Sequence, residues 1–408
     1  MLAVLTAGAL AVGLAACGGD DDTSTAEAEG RDTVKVGAIV SASGPRAYGA
    51  ETAEGARAFF EAANAEGGIA GHEIEYVIED DGADPTRAAA AARKLLQEDV
   101  VAIVGGASLV ECQANAQLYA QREVSDLISL PSNPVCFQSE NIYPIQSGPF
   151  PTMVANINYA AEELGKKKIQ FVAVDAPTGR SADAVIQGYL QSKDVSAGPT
   201  EFVAPDQDPT PALVRIKRRN PDAILLLVPP QQAIGLLRAA AEQGIGPSDV
   251  TTLAGGVVYD EQFVDAVGKA ANGLIASVDY LPLQADPQPE SMQDWLAAMD
   301  EHVPADKTNL FLAQSGWIAA DVFAEALSRV EGDVTAASIT EALRTISDFD
   351  NGMTGNPFDL ATRKPPATPN RSQFVVQVDD NGDWTYVSDY DVPKFPPADF
   401  QPPAPPEE

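Results

Sequence analysis

Histidine, cysteine and cationic side chains are scarce in this chain. Two histidines and three cysteines occur in 408 residues, and 26 Lys and Arg stand against 59 Asp and Glu, a formal net charge of −33. So few imidazoles and thiols leave little from which to build a zinc site or a Cys/His catalytic pair. A nucleic-acid surface needs a basic stripe that neutralises phosphates, and the only dense basic runs are Lys166-Lys167-Lys168 and Lys217-Arg218-Arg219. A Walker-type phosphate cradle is missing, because Gly165-Lys166 and Gly268-Lys269 lack the Ser or Thr that must follow. There is no Gly-x-Ser-x-Gly nucleophile elbow. His72 beside a glycine turn and His302 near Pro304 have no His or Cys neighbour and are expected at the surface. The paired acids Asp80-Asp81 follow a strand end and are read as turn and capping groups rather than a site. These absences exclude nucleic acid as a partner and point away from an enzyme, a metal centre and a prosthetic cofactor.

What is present is ordinary core material, with 45% apolar residues, enough for two or three domains of roughly 100–200 residues each. The first segment differs from the rest. Residues 2–16 form an uncharged apolar run that ends in Leu14-Ala15-Ala16-Cys17. It is shorter than the roughly 20 residues a membrane span needs. The run resembles a bacterial lipoprotein signal, in which a peptidase cuts before the cysteine and that thiol carries the lipid. It departs from such a signal in having no Lys or Arg ahead of the apolar run. Residues 1–16 are thus expected to be removed, Cys17 lipidated, and 17–32, rich in Gly, Asp, Ser, Thr and Glu, a flexible tether. In an exported protein Cys112 and Cys136 then remain, 24 residues apart, and a disulfide is the default reading. Such a loop would stabilise by roughly 3 kcal/mol. Two free buried thiols are the alternative.

Short apolar runs alternate with amphipathic stretches. Strands are expected at 34–40, 74–79, 100–104, 127–129, 169–174, 195–202, 223–228, 250–253 and 273–278. Helices are expected between them, including one opened by Asp84-Pro85, where an N-cap acid precedes a first-turn proline. This rhythm means βαβ units and parallel sheets, and it restarts after Gln146-Ser147-Gly148-Pro149. Helices follow at 292–300, 310–329 and 336–345, and then strands at 374–378 and 384–387. The turn between those strands, Asp380-Asn381-Gly382-Asp383, mimics the start of a calcium loop. Tyr390 stands where such a loop needs Glu, so a hairpin is expected. The tail, 391–408, is Pro-rich and expected to be extended.

Several ordered motifs carry a family resemblance. They include Val36-Gly37-Ala38-Ile39, Ser43-Gly44-Pro45, Ala47-Tyr48-Gly49, Asn64-Ala65-Glu66-Gly67-Gly68-Ile69-Ala70-Gly71, Asp84-Pro85, Val104-Gly105-Gly106 and Asn220-Pro221-Asp222-Ala223. Together they resemble the branched-chain amino-acid type of ABC-transporter substrate-binding protein, with the type 1 periplasmic binding fold. The resemblance spans nearly all of 33–390. It implies two Rossmann-like α/β lobes joined by a three-segment hinge. Lobe one would be 33–147 with 283–357, and lobe two 148–282 with 358–390. A ligand would lie in the cleft, beyond the carboxyl ends of the strands. The resemblance further implies a monomer, outside the cytoplasm and anchored to the membrane through Cys17, that delivers a small polar ligand to ABC permease subunits. A ligand-sensing lipoprotein of the same fold is the alternative.

The pocket implied by the resemblance takes Tyr48 after the first strand. Ala107-Ser108 would follow the third, with backbone N–H groups and a hydroxyl for a ligand carboxylate. Pro131-Ser132 would follow the fourth. Ser108 and Ser132 also fit simple helix or turn capping. In lobe two, Thr178 stands where amino-acid-binding members carry a tyrosine, and Gly256 where they carry the acid that holds the ammonium. Tyr259 is a candidate substitute. An ammonium closed off without a counter-charge is costly, so an amide, a small carboxylate or an unusual amino acid fits as well as leucine.

Overall fold

The computed structural model describes residues 32–44, 47–205, 207–304, 309–365 and 369–391. The expected signal segment, Cys17, nearly all of the tether and the tail beyond 391 lie outside the described residues.

The first sheet grows from alternating strands and helices: β1 (Thr33–Val40), α1 (Ala50–Ala65), β2 (Glu73–Asp80), α2 (Pro85–Gln97), β3 (Ala102–Val104), α3 (Glu111–Arg122), β4 (Ser125–Leu127) and α4 (Pro134–Gln138). Its order is β2-β1-β3-β4, all parallel. Asp84 opens α2 as the motif predicts, its carboxylate accepting from the amides of Thr86 and Arg87. The strand expected at 127–129 lies two residues earlier. Ser125 and Asp126 are fully buried despite being polar, so hydropathy misplaces the strand.

The second sheet follows α5 (Pro149–Asn158), which widens into a π-type turn over Tyr159–Glu163. It contains β5 (Ile169–Val174), α6 (Pro177–Ser192), β6 (Glu201–Val203), α7 (Thr210–Arg219), β7 (Ala223–Leu227), α8 (Pro230–Glu242), β8 (Thr251–Gly255), α9 (Glu261–Val267) and β9 (Ile275–Val278). The strand expected at 195–202 shrinks to β6. Gly198-Pro199 interrupts it, leaving only a bridge from Ser196 to Lys168 further back.

The chain then leaves this sheet. Helices α10 (Glu290–His302), α11 (Leu310–Ser328) and α12 (Ala336–Leu343) return to the first one, α10 and α11 against α1 and α12 against β4. Thr340 fixes that return, its hydroxyl 2.7 Å from that of Ser125 and donating to the Glu123 carbonyl at 2.8 Å. Helix α11 is apolar and long enough to cross a membrane by length and composition, yet 78% of that window is buried inside the protein. It is a core helix. Glycines let it approach α1 closely. A Cβ on Gly316 would sit 1.6 Å from the Thr52 carbonyl oxygen, and one on Gly55 1.8 Å from that of Ala313.

Finally β10 (Ser372–Val378) and β11 (Trp384–Asp391) complete the second sheet, whose order is β11-β10-β9-β8-β7-β5-β6. Five strands are parallel, but β10 runs antiparallel to β9 and β11 antiparallel to β10. The last two strands form the hairpin expected around Asp380-Asn381-Gly382-Asp383, and pairing of β10 with β9 adds it to the edge of the parallel sheet. Asp379 closes that turn, accepting from the amides of Asn381 and Asp383. The last strand thus extends into the expected tail as far as Asp391.

Candidate ligand-binding cavity

A cavity of about 100 Å³ lies at the carboxyl ends of β7 and β8, the position where open parallel sheets bind ligands. The ends of those strands supply Leu226, Leu227, Val228 and the run from Ala254 to Val258, and α5 adds Met153. From the side of the first sheet come Leu130 and Pro131 after β4 and Phe311 at the start of α11. The walls are therefore largely apolar.

Polar groups enter where the chain passes between the sheets. Asp279, directly after β9, and Gln146, before α5, both line the cavity and are 4% and 5% exposed. Three donors converge on Oδ1 of Asp279: the Ser147 amide at 2.8 Å, the Ser147 hydroxyl at 2.5 Å and the Gln373 amide at 2.9 Å. Burial pushes the Asp279 carboxyl up from its ordinary pKa, and the bonds from Ser147 and Gln373 pull it partly back. Gln146 Nε2 is buried, and its side chain interacts with the equally buried Tyr280 hydroxyl.

Of the residues taken from the family resemblance, Pro131 and Gly256 line this cavity. The others are engaged elsewhere. The Ala107 amide donates to the Ile39 carbonyl at 3.1 Å and so continues the β1 ladder, unavailable to a carboxylate. The Ser108 hydroxyl donates to buried Asp81 and caps α3 by accepting from the Val110 and Glu111 amides. Ser108 thus has the capping contacts that its place in the sequence allows. Ser132 donates to the Ser108 carbonyl at 3.0 Å. Thr178 is an exposed residue of α6. The Tyr259 hydroxyl accepts from the Leu283 amide at 2.9 Å and donates to Gln284 at 2.5 Å, which turns it away from the cavity. Its ring instead packs edge-on against Phe311 and Trp384. Tyr48 is half-buried outside the lining, with a hydroxyl that bonds no described residue. A Cβ on Gly256 would lie 2.6 Å from Phe311, so no acid can occupy that position in this arrangement.

The pair Asp80-Asp81 behaves as turn chemistry. Asp80 accepts from the amides of Ala42, Ser43 and Gly82, and Asp81 from the Ser41 hydroxyl and the Ala83 amide. His72 and His302 are half-buried rather than on the open surface, and His302 lies 3.3 Å from Glu61. Among the described residues no group of three or more His, Cys, Asp or Glu is arranged to hold a metal.

Sequence reasoning missed Asp279, Gln146 and Phe311. Two carried a signal. Gln146 opens the Gln146-Ser147-Gly148-Pro149 break, and Asp279 is an acid directly beyond a buried strand.

Cys112 in α3 and Cys136 in α4 are bonded, with Cα atoms 5.2 Å apart. The bond ties together the helices behind the Ala107–Ser108 and Pro131–Ser132 loops. Intact-mass analysis after alkylation should show both thiols blocked until reductant is added; two thiols that alkylate without it refute the bond. Replacing both cysteines by alanine should destabilise by roughly 3 kcal/mol.

A periplasmic binding protein family model matches residues 33–383. A curated relative, the leucine-, isoleucine-, valine-, threonine-, and alanine-binding protein of Pseudomonas aeruginosa, is 24% identical over 333 residues, covering 77% of this chain and 82% of the relative. Similar solved structures include a fatty acid ABC transporter substrate-binding protein from Thermomonospora curvata. It has a TM-score of 0.75 and 21% identity, covering 89% of this chain and 93% of that one. A branched-chain amino acid transporter substrate-binding protein from Streptococcus pneumoniae, in complex with isoleucine, has a TM-score of 0.71 and 19% identity. It covers 88% of this chain and 100% of the other. At these identities the structural likeness establishes the bilobed α/β fold.

Proposed function

This chain belongs to the periplasmic binding protein family, which consists of extracytoplasmic solute-binding proteins and not enzymes, and from that premise we propose that it is a lipid-anchored receptor delivering a small solute to an ABC importer. The observation that carries this reading is the cavity walled from both sheets, by Pro131 and Phe311 on one side and by the β7 and β8 ends on the other. Residues 33–147 with 283–357 would form one lobe, and 148–282 with 358–390 the other, closing on the ligand by hinge motion. Anchoring would be through Cys17, behind the lipoprotein-like run at 2–16. The protein would work as a monomer beside its permease.

The solute in this reading has an apolar body, set against the cavity walls, and a polar head. The Pseudomonas relative is named for binding leucine, isoleucine, valine, threonine and alanine. Here the amide of Ala107 and the hydroxyl of Ser108 are taken, and Gly256 supplies no acid. Leucine, isoleucine and valine at millimolar concentration are therefore expected to leave the melting temperature unchanged. The test is a thermal-shift screen of amino acids, amides, amines and carboxylates. A ligand of the folded state at 100 times its Kd stabilises by about 2.7 kcal/mol. A clear upward shift with leucine, isoleucine or valine would refute the exclusion. Silence across the whole library would refute the receptor.

A further inference from the structure

Among the described residues, those lining the cavity include no Lys, Arg or His, and their polar side chains are already engaged. The Thr152 hydroxyl donates to the Gly148 carbonyl at 2.9 Å. Asp279 accepts from Ser147 and Gln373, and the Gln146 side chain meets the Tyr280 hydroxyl. No lining side chain keeps a donor for an anion. Apolar surface, by contrast, is left over. Leu130 after β4, Leu227 at the end of β7 and Val257 beyond β8 line the cavity and are only half-buried. They come from both sheets, and their exposed parts stay in water until something covers them. The Phe311 ring beside them is steadied by the rings of Tyr259 and Tyr280, at 5.9 and 5.7 Å. We infer that the solute is an amphiphile recognised by an aliphatic chain, which lies against Leu130, Leu227 and Val257 while its polar head stays outside the cavity. This rests on the receptor reading above and deepens it.

Solutes that put a polar group inside fare worse. A carboxylate there would lose its water and meet no donor side chain, and an unpaired buried charge is costly. A zwitterionic amino acid adds the same difficulty to its ammonium. A sugar would press several hydroxyls against Leu130, Leu227, Val257 and Phe311, leaving their hydrogen bonds unmade. An amine has Asp279 to face, but Oδ1 of that carboxyl is already shared by three donors. An aliphatic chain asks only for the removal of apolar area from water, and each buried methylene strengthens binding roughly fourfold. The cavity is part of an open cleft, so its walls set no limit on chain length and the head keeps its hydration.

Isothermal titration of the intact protein with butan-1-ol, hexan-1-ol and octan-1-ol tests this, beside octanoate and octylamine in high salt. Each added pair of methylenes is expected to tighten binding by roughly tenfold. The three eight-carbon solutes should differ among themselves by less than roughly tenfold, because their heads lie outside. Leu227→Gln and Val257→Gln should each weaken octan-1-ol by roughly tenfold. Both residues are half-buried, so the ligand-free melting temperature should hardly move. Affinity that does not rise with chain length overturns the chain assignment and leaves the receptor reading standing. A head-group effect larger than tenfold, in either direction, does the same by placing the head inside. So does octan-1-ol binding that neither variant weakens. If neither these solutes nor any in the thermal-shift screen bind, both readings fall.

Discussion

Gly316→Val is expected to cost the protein its stable fold, and even Gly316→Ala to destabilise it by several kcal/mol. On an open helix face Gly→Ala gains roughly 1 kcal/mol. Here the sign reverses because the added Cβ would fall 1.6 Å from the Thr52 carbonyl oxygen and 3.0 Å from the Ala56 nitrogen. Both are backbone atoms and cannot swing aside. The contact is reciprocal, since Gly55 of α1 lies equally close to the Ala313 carbonyl of α11. A side chain on either glycine forces the two helices apart and opens the aromatic contacts between them. Phe59 lies 4.9 Å from Trp317 and Phe60 5.9 Å from Phe323, centroid to centroid. Close packing converts such a gap directly into lost stability. Thermal denaturation followed by circular dichroism checks this, with Gly235→Ala in α8 as the control. Nothing lies within 4 Å of a Cβ there, so that change should stabilise. If Gly316→Ala raises the melting temperature as well, the close approach is wrong.

The second large effect depends on pH. Asp126 in β4 is fully buried, and neither of its carboxyl oxygens has a partner among the described residues. Burial pushes its pKa up from 3.8 to about 8. Glu111, also fully buried, is pushed up by its own burial and by the negative charges of Asp126 and Asp81; the Tyr119 hydroxyl, donating at 2.6 Å, opposes that rise. Two acids facing each other without a cation stay neutral by holding their protons. In the unfolded chain Asp126 ionises near pH 4, whereas in the folded protein it ionises near pH 8. Its contribution is thus fully present below about pH 4 and is lost progressively as the pH rises to about 8, at up to roughly 1.4 kcal/mol per pH unit. Asp126→Asn keeps the shape and cannot ionise. It should melt close to the parent at about pH 4 and several degrees higher at pH 8, measured in high salt to screen the general repulsion of a protein this acidic. Equal melting temperatures at pH 8 would refute the buried ionisation.

Much of the fold was legible because its signals are local. Asp84-Pro85 opens a helix wherever it occurs, and the apolar run of β7 reads as a central parallel strand. The errors fall where a distant partner decides. Ser125 and Asp126 form a strand because β3 covers them on one side and Thr340, from α12, bonds the Ser125 hydroxyl. The hairpin of β10 and β11 was legible in its turn residues, but its docking on β9, about a hundred residues earlier, was not. The five-residue α4 is too short for periodicity to reveal. The cavity divides in the same way. Family resemblance located the loops at Pro131 and Gly256, but it did not read what their neighbours do. Ser108 is captured by Asp81, 27 residues back in the chain, and the polar groups of the cavity sit in the passages between sheets, where no helical or strand pattern marks them.

The late antiparallel hairpin sets an order of assembly. As the ribosome extends the chain from its amino end, every strand of the first sheet has emerged by Leu127, whereas the second sheet waits for Asp391. Until then β9 is an open border with unpaired backbone groups along one side, the kind of edge that recruits strands from other chains. Chains cut short between α12 and β10 would keep that border permanently. The hairpin therefore covers β9 and carries the border of the sheet outward to β11.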